Sequence, residues 1–218
     1  ETAARLLRYS DLSVRDIAYR VGYDVPSSLS KSFRQFYGIS PNEYRHNKDY
    51  TIMKPVEMRP DLEFDFEERV LTPKQVIYVW LTGAYNQLDY CAAWQRLWNY
   101  VREENLLAPE VEHICVYHDD PKVTEQGKLR TDVCLVLPRV GKPKGEIAVK
   151  EIPGGKYAVF RYRGPYDNLR AMYDTIYAKW IPEKGYKLGD APGFEKYLNH
   201  PDHTESENLI TEIYIPVQ

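Results

Sequence analysis

Phenylalanine is scarce in these 218 residues, six against nineteen tyrosines, so aromatic surface has to be built from rings that carry a hydroxyl at the tip. Cysteine is scarcer. Cys91, Cys115 and Cys134 are odd in number and lack metal-site spacing, which argues against a disulfide framework and for a reducing, cytoplasmic setting. No apolar run approaches the roughly 18 residues of a membrane span, so no membrane partner is expected, and the opening residues do not read as a signal peptide. An initiating methionine is also missing, and Glu1 already lies in a helical pattern, so the sequence reads as a fragment. His113, His118, His200 and His203 fall into no recognised metal-ligand spacing. Gly154-Gly155 reads as a hairpin turn, not a phosphate cradle. With no Ser/His/Asp or Cys/His arrangement discernible, no metal, cofactor or catalytic residue is assigned.

What is present divides in two. With 43% hydrophobic and 28% charged residues the composition is that of an ordinary globular protein, but its net charge of −3 is unevenly spread. Residues 1–48 hold eight Lys+Arg against five Asp+Glu, and the remainder holds 21 against 27. A basic head on an acidic body suggests two modules with different partners.

In the head, Ala3, Ala4, Leu6 and Leu7 lie on one side of a helix ending near Ser10-Asp11. Ser13 and Asp16 read as a capping box for a second helix with Ile17, Ala18 and Val21 inward, closed by Gly22. Pro26 suits the first turn of a third helix, stopped by Gly38, with Leu29, Phe33 and Phe36 as its buried face. Two short helices around a Gly-containing turn make a helix-turn-helix. The string Ala4-x-x-Leu7, Ile17-Ala18-x-x-Val21-Gly22-Tyr23, Leu29-Ser30-Lys31-x-Phe33 and Gly38-x-Ser40-Pro41-x-x-Tyr44-Arg45 resembles the second helix-turn-helix of AraC-type transcription regulators. That resemblance makes residues 26–37 a recognition helix for double-stranded DNA. Ser27 and Lys31 would face the major groove, with Ser28, Ser30 and Arg34 nearer the backbone. The family carries two such motifs and only the second is present here, and Ser27 is short for a base reader. One motif alone should bind weakly, so specific binding needs the missing motif, a dimer, or both.

Residues 48–60, with Lys54-Pro55 and Arg59-Pro60 and no periodicity, read as a linker between a head of 1–47 and a body of 61–218. The body repeats itself. Gly83-Ala-Tyr85 and Leu88 recur as Gly164-Pro-Tyr166 and Leu169. Tyr117 to Pro121 recurs as Tyr197 to Pro201, and Thr131-Asp132 as Thr211-Glu212. Each half reads strand, strand, helix, strand, strand. The strands are placed at 63–71, 76–81, 113–118 and 131–137, then 146–152, 157–162, 194–199 and 209–217, and the helices at 87–104 and 167–181. The expected fold is α+β: a helix-turn-helix segment followed by a duplicated ββαββ antiparallel sheet with two helices on one face.

Alternation along the strands predicts an aliphatic face under the helices, with Ile77, Val79, Phe160, Ile114, Val116, Phe194, Leu198, Ile213 and Ile215. The opposite parity gathers Tyr78, Trp80, Arg161, Cys115, Tyr117, Cys134, Glu195, Tyr197, Glu212 and Tyr214. An aromatic face with a few carboxylates suits a concave site for a flat, apolar and cationic ligand, because rings attract cations and a buried acid needs a counter-charge. A plainer reading pairs Glu195 or Glu212 with Arg161 beside surface tyrosines.

Phe160-x-x-x-Gly164-x-Tyr166, Gly193-Phe-Glu195-x-Tyr197 and Thr211-Glu-Ile-Tyr-Ile-Pro216 are similar to the gyrase-inhibitor-like effector-binding domain, over about residues 60–218. The resemblance implies a pocket for a small aromatic or cationic effector with Glu195 at its base, lined by Glu212 and Tyr214 and by Trp94 or Trp98 of the first helix. Tyr197, Tyr117 and Trp80 complete the expected ligand set. Some members of that family hydrolyse electrophilic, cyclopropane-bearing compounds, so the alternative is a hydrolase with Glu195 as general base and Tyr197 or Tyr214 as acid. The helix-turn-helix favours a regulator.

Overall fold

The computed structural model describes residues 2–46, 59, 61–139 and 141–218. The expected linker 48–60, apart from Arg59, lies outside the described residues. The head is four helices: α1 (Thr2–Tyr9), α2 (Val14–Arg20), α3 (Pro26–Tyr37) and α4 (Pro41–His46). Ser13 caps α2, its Oγ accepting the Asp16 N–H at 3.1 Å. Helix α3 opens on Pro26 and ends on Gly38, whose φ of 79° lies in the left-handed region that a glycine enters without strain. Leu6, Leu7, Ile17, Leu29, Phe33 and Tyr44 form the head's core. One inward position differs from expectation. Phe36 is 55% exposed and Tyr37 only 4%, because the stripe runs Leu29, Phe33, Tyr37 at successive spacings of four.

The body is one eight-stranded antiparallel sheet ordered β1-β6-β8-β7-β3-β4-β2-β5. Its strands are β1 (Phe64–Leu71), β2 (Lys74–Thr82), β3 (Glu112–Tyr117), β4 (Arg130–Val136), β5 (Ala148–Ile152), β6 (Gly155–Arg163), β7 (Gly193–Tyr197) and β8 (Ile210–Pro216). Exchanging each strand with its counterpart in the other half turns this order into its own reverse. The duplication is therefore an internal two-fold, passing between β3 and β7 where Cys115 pairs with Glu195. Matching turns repeat: the Gly83 N–H donates to the Leu129 carbonyl and the Gly164 N–H to the Leu209 carbonyl, both at 2.9 Å.

Two-residue connections join β1 to β2 and β5 to β6, although neither pair is hydrogen-bonded. The sheet must bend sharply to allow this, bringing its two ends together. Gly154, expected in a hairpin, instead packs where these connections cross: a Cβ on it would lie 2.6 Å from the Leu71 carbonyl oxygen. Closure gives the face away from the helices a core of its own, with Val76, Ile114, Val116, Tyr157, Phe194 and Tyr214.

The other face carries α5 (Tyr90–Glu103), and a composite helix of α6 (Leu169–Thr175), a π-helical segment (Ile176–Trp180) and α7 (Ile181–Glu183). Ala93, Leu97 and Val101 of α5 pack on Ile77, Val79, Val133 and Leu135. Met172 and Ile176 pack on Phe160, Ile213 and Ile215. On β2, β4, β6 and β8 the expected faces hold. On β3 and β7 they are reversed: Cys115, Tyr117, Glu195 and Tyr197 face the helices, and Ile114, Val116 and Phe194 face away. Leu198 falls beyond the end of β7 and is 40% exposed. Both faces of the central strands are enclosed, so alternation fixes which residues share a face but not which face meets the helices.

Candidate functional site

The two helices straddle the central strands and leave a cavity of about 1210 Å³ between them. Its floor includes Cys115 and Tyr117 of β3 and Glu195 and Tyr197 of β7. Trp94 and Trp98 of α5 line one side, and Tyr173 and Tyr177 of the composite helix the other. Trp94 and Trp98 both rest against His113, at 5.3 and 5.6 Å between ring centroids. Cys91 also lines the cavity and is exposed.

Glu195 is 3% exposed. It accepts a hydrogen bond from the Tyr197 hydroxyl at 2.6 Å, and the Tyr117 and Tyr197 hydroxyls lie 3.2 Å apart. Among the described residues no lysine, arginine or histidine forms an ion pair with it. Burial pushes its carboxyl up to about 7, against the hydroxyls of Tyr197, Tyr173 and Tyr117, which favour the charged form. The Tyr173 hydroxyl approaches closely enough to act on that charge, but it is a buried donor without a well-aligned hydrogen bond. Burial and the nearby acid hold the Cys115 thiol well above its ordinary range. Near neutrality Glu195 can exchange a proton, accept hydrogen bonds or face a cation. The floor tyrosines are poor proton donors, since burial raises Tyr117 and Tyr197 well above the usual phenol range.

Of the expected ligand residues, the cavity brings together Glu195, Tyr197, Trp94 and Tyr117. It does not include Glu212, Tyr214 or Trp80, which the same parity argument had grouped with them. Glu195 pairs across the strands with Ile213, so Glu212 and Tyr214 point to the other face. There Glu212 accepts from Arg69 at 2.9 and 3.0 Å, Arg161 at 2.7 Å and the Tyr214 hydroxyl at 2.7 Å. Burial would raise its carboxyl, but the donors from Arg69, Tyr214 and Arg161 outweigh it and hold it at about 2. The plain ion-pair reading is thus met by Glu212 and Arg161. Trp80 is 63% exposed on that same face. Sequence reading did not single out Tyr173 and Tyr177 as cavity residues, because a tyrosine among apolar helical residues is more often core. Their hydroxyls, four residues apart, were the available signal.

On the head, Ser27, Ser28, Lys31 and Arg34 are exposed along α3. Ser30 is half-buried and its hydroxyl donates back to the Pro26 carbonyl at 3.1 Å. Arg34 lies 3.7 Å from Glu43 in an exposed pair. Among the described residues no group of His, Cys, Asp and Glu could hold a metal ion, and no helix is long and apolar enough to cross a membrane.

Comparison with known proteins agrees with both modules. Residues 64–218 match the GyrI-like small molecule binding domain, and residues 1–47 match a helix-turn-helix domain. The "Probable transcriptional regulator YgiV" of Escherichia coli (strain K12) is 29% identical over 133 residues, 60% of this chain and 81% of that protein. DNA gyrase inhibitor 2 of Dickeya dadantii (strain 3937) is 36% identical over 141 residues, 63% of this chain and 84% of that protein. Among solved structures, EcmrR in its DNA complex superposes with a TM-score of 0.60 at 19% identity, covering 88% of this chain and 66% of that one. A hydrolase encoded by lin2189 from Listeria innocua gives 0.54 at 11% identity, covering 73% and 94%. At such identities these two show the fold alone. The chain belongs to the GyrI-like small-molecule-binding family, joined to an AraC-type helix-turn-helix in the arrangement of a DNA-binding transcription regulator.

Proposed function

We propose that the cavity senses an aromatic cation, with Glu195 as counter-charge, and that occupancy governs DNA binding by the head. The observation that carries this is an acid buried among aromatic side chains with no cationic partner among the described residues. Such a group is costly when charged, and a ligand that brings its own positive charge removes that cost. The rings of Trp94, Tyr117 and Tyr197 add attraction of roughly 0.5–2 kcal/mol per cation contact. On the head, exposed Ser27 and Lys31 address the major groove and Ser28 and Arg34 the phosphates. Ser30, bonded to its own helix, contributes little. A chain that works on DNA acts in the cytoplasm. The hydrolase reading is less well supported, because the floor tyrosines that would serve as acid are made weaker acids by burial.

Tryptophan fluorescence titration with benzyltriphenylphosphonium and neutral triphenylphosphine oxide tests the site. The phosphonium should bind at least about tenfold more tightly, and Glu195→Gln should abolish that preference, corresponding to ~1.4 kcal/mol. Undiminished preference for the cation in the Gln variant would sink the proposed role of Glu195.

A further inference from the structure

We propose that the DNA-binding head supplies one wall of the effector site. In this view Tyr9 and Arg5 of α1 are effector-binding residues, and occupation of the cavity braces the head in its docked position. The inference rests on the small-molecule-binding reading, but not on the effector being a cation.

The head meets the body largely through residues that also line the cavity. Tyr9, the last residue of α1, stacks on Tyr177 with centroids 5.1 Å apart and planes at 27°. Tyr177 in turn stacks on Tyr173 at 6.2 Å and 14°, and Tyr173 borders Glu195. Three rings thus run from the cavity floor to the helix-turn-helix.

The loop after β3 is held between the same two parts. The Tyr9 hydroxyl donates to the Asp120 carboxylate at 3.2 Å. Lys122 pairs with Asp174 of α6 at 2.6 Å, with both side chains almost fully buried. Val123, one residue on, is wholly buried in the head's core beside the α1 residues. Arg5, Tyr9, Asp120, Lys122, Asp174 and Tyr177 all border the one cavity. The interface and the cavity therefore share a wall.

Among the described residues two buried donors in that wall have no well-aligned hydrogen bond, Arg5 Nε on the head and, on the body, the Tyr173 hydroxyl, which has Glu195 nearby. A ligand with an acceptor group could satisfy either, and unmet donors of this kind favour whatever supplies the bond. A second anchor stands apart from the cavity: Arg20 of α2 reaches Asp190 at 2.5 Å and the Leu188 carbonyl at 2.7 Å. Lys128, also outside the cavity, lies over the Phe36 ring of α3 at 5.3 Å, so among the described contacts of the head those at α1 are the ones a ligand in the cavity can touch. A molecule that contacts both sides of the shared wall gains interactions available only when the head is docked. By linkage it shifts the head toward that arrangement, without any separate relay.

Hydrogen exchange on the full chain, with and without saturating benzyltriphenylphosphonium, tests this. Amides of α1 and of residues 119–124 should exchange more slowly when the probe is bound. Tyr9→Ala should weaken the probe by about fivefold, the size of one aromatic contact. Arg20→Ala, outside the cavity, should change affinity less than about twofold. Binding that leaves α1 exchange unchanged and is indifferent to Tyr9→Ala overturns the proposal. If the phosphonium fails to bind and triphenylphosphine oxide binds, the cation reading falls, and protection of α1 by the oxide still supports the shared wall. Failure of both compounds to bind overturns the inference together with the reading beneath it.

Discussion

Glu195 and Glu212 lie on adjacent strands, and at 3% and 1% exposure both are withdrawn from solvent. Their surroundings are opposed. Glu212 faces two arginines and a tyrosine, and its carboxyl is held at about 2. Glu195, on the helix face, has tyrosine hydroxyls and, among the described residues, no cation, and burial carries it up to about 7. Burial alone therefore does not set the state of a carboxylate; the supply of donors does. One acid is neutralised within the fold, whereas the other, on the reading proposed above, takes its counter-charge from a ligand.

The largest way to test this contrast is Glu212→Gln. It leaves Arg69 and Arg161 facing each other without their shared acid. Because both arginines keep partial contact with water, the expected loss of unfolding free energy is about 2 kcal/mol, below that for a fully buried pair. Phosphonium affinity should not change. A Gln variant as stable as the parent in denaturant unfolding would remove the structural role given to Glu212.

Next in size is pH. A cation favours ionised Glu195, so phosphonium affinity should fall about tenfold as pH drops from about 8 to about 6, while triphenylphosphine oxide stays flat. The two acids also act oppositely on stability. Glu195 has a folded value above the ordinary 4.5, so its contribution is full below 4.5 and is lost as pH rises through about 7. Glu212 has a depressed value, so its contribution is present above 4.5 and is lost as pH falls through about 2. A pH-independent phosphonium affinity would contradict the titration assigned to Glu195.

The smallest effect separates the two faces by their tryptophans. Trp94→Ala should weaken both probes by about 1 kcal/mol, and Trp80→Ala, on the far face, should leave calorimetric affinities unchanged. Equal losses from the two variants would mean that the cavity is not where the probes bind.

Much of this architecture was legible. The steady offset between Gly83 and Gly164, and between Tyr117 and Tyr197, revealed the duplication, and period-two alternation located all eight strands. Glu195, Tyr197, Tyr117 and Trp94 were singled out and do meet. Glu212, Tyr214 and Trp80 were grouped with them because alternation was carried across the sheet on the premise that aliphatic rows lie under helices. That premise fails on β3 and β7, where sheet closure encloses the aliphatic row and the polar row floors the cavity. Phe36 and Tyr37 both fall at helical spacing from Leu29 and Phe33, and packing in the head turns Tyr37 inward. Tyr9 gave no sign of a cavity role, because proximity across 168 residues to Tyr177 is a property of docking that no local pattern records.

A residue on a two-fold axis meets its own copy. Were the sheet assembled from two identical chains, the position shared by Cys115 and Glu195 would carry one residue twice. Two glutamates there would compete for a single proton, and two cysteines would leave the floor uncharged. Joining both halves in one polypeptide lets them diverge, so that one acid stands opposite one thiol, with tryptophans on one flank and tyrosines on the other. A guest on a symmetric axis would have two equivalent poses. Here the two poses are inequivalent, so a molecule bound as proposed would present a defined edge to the head.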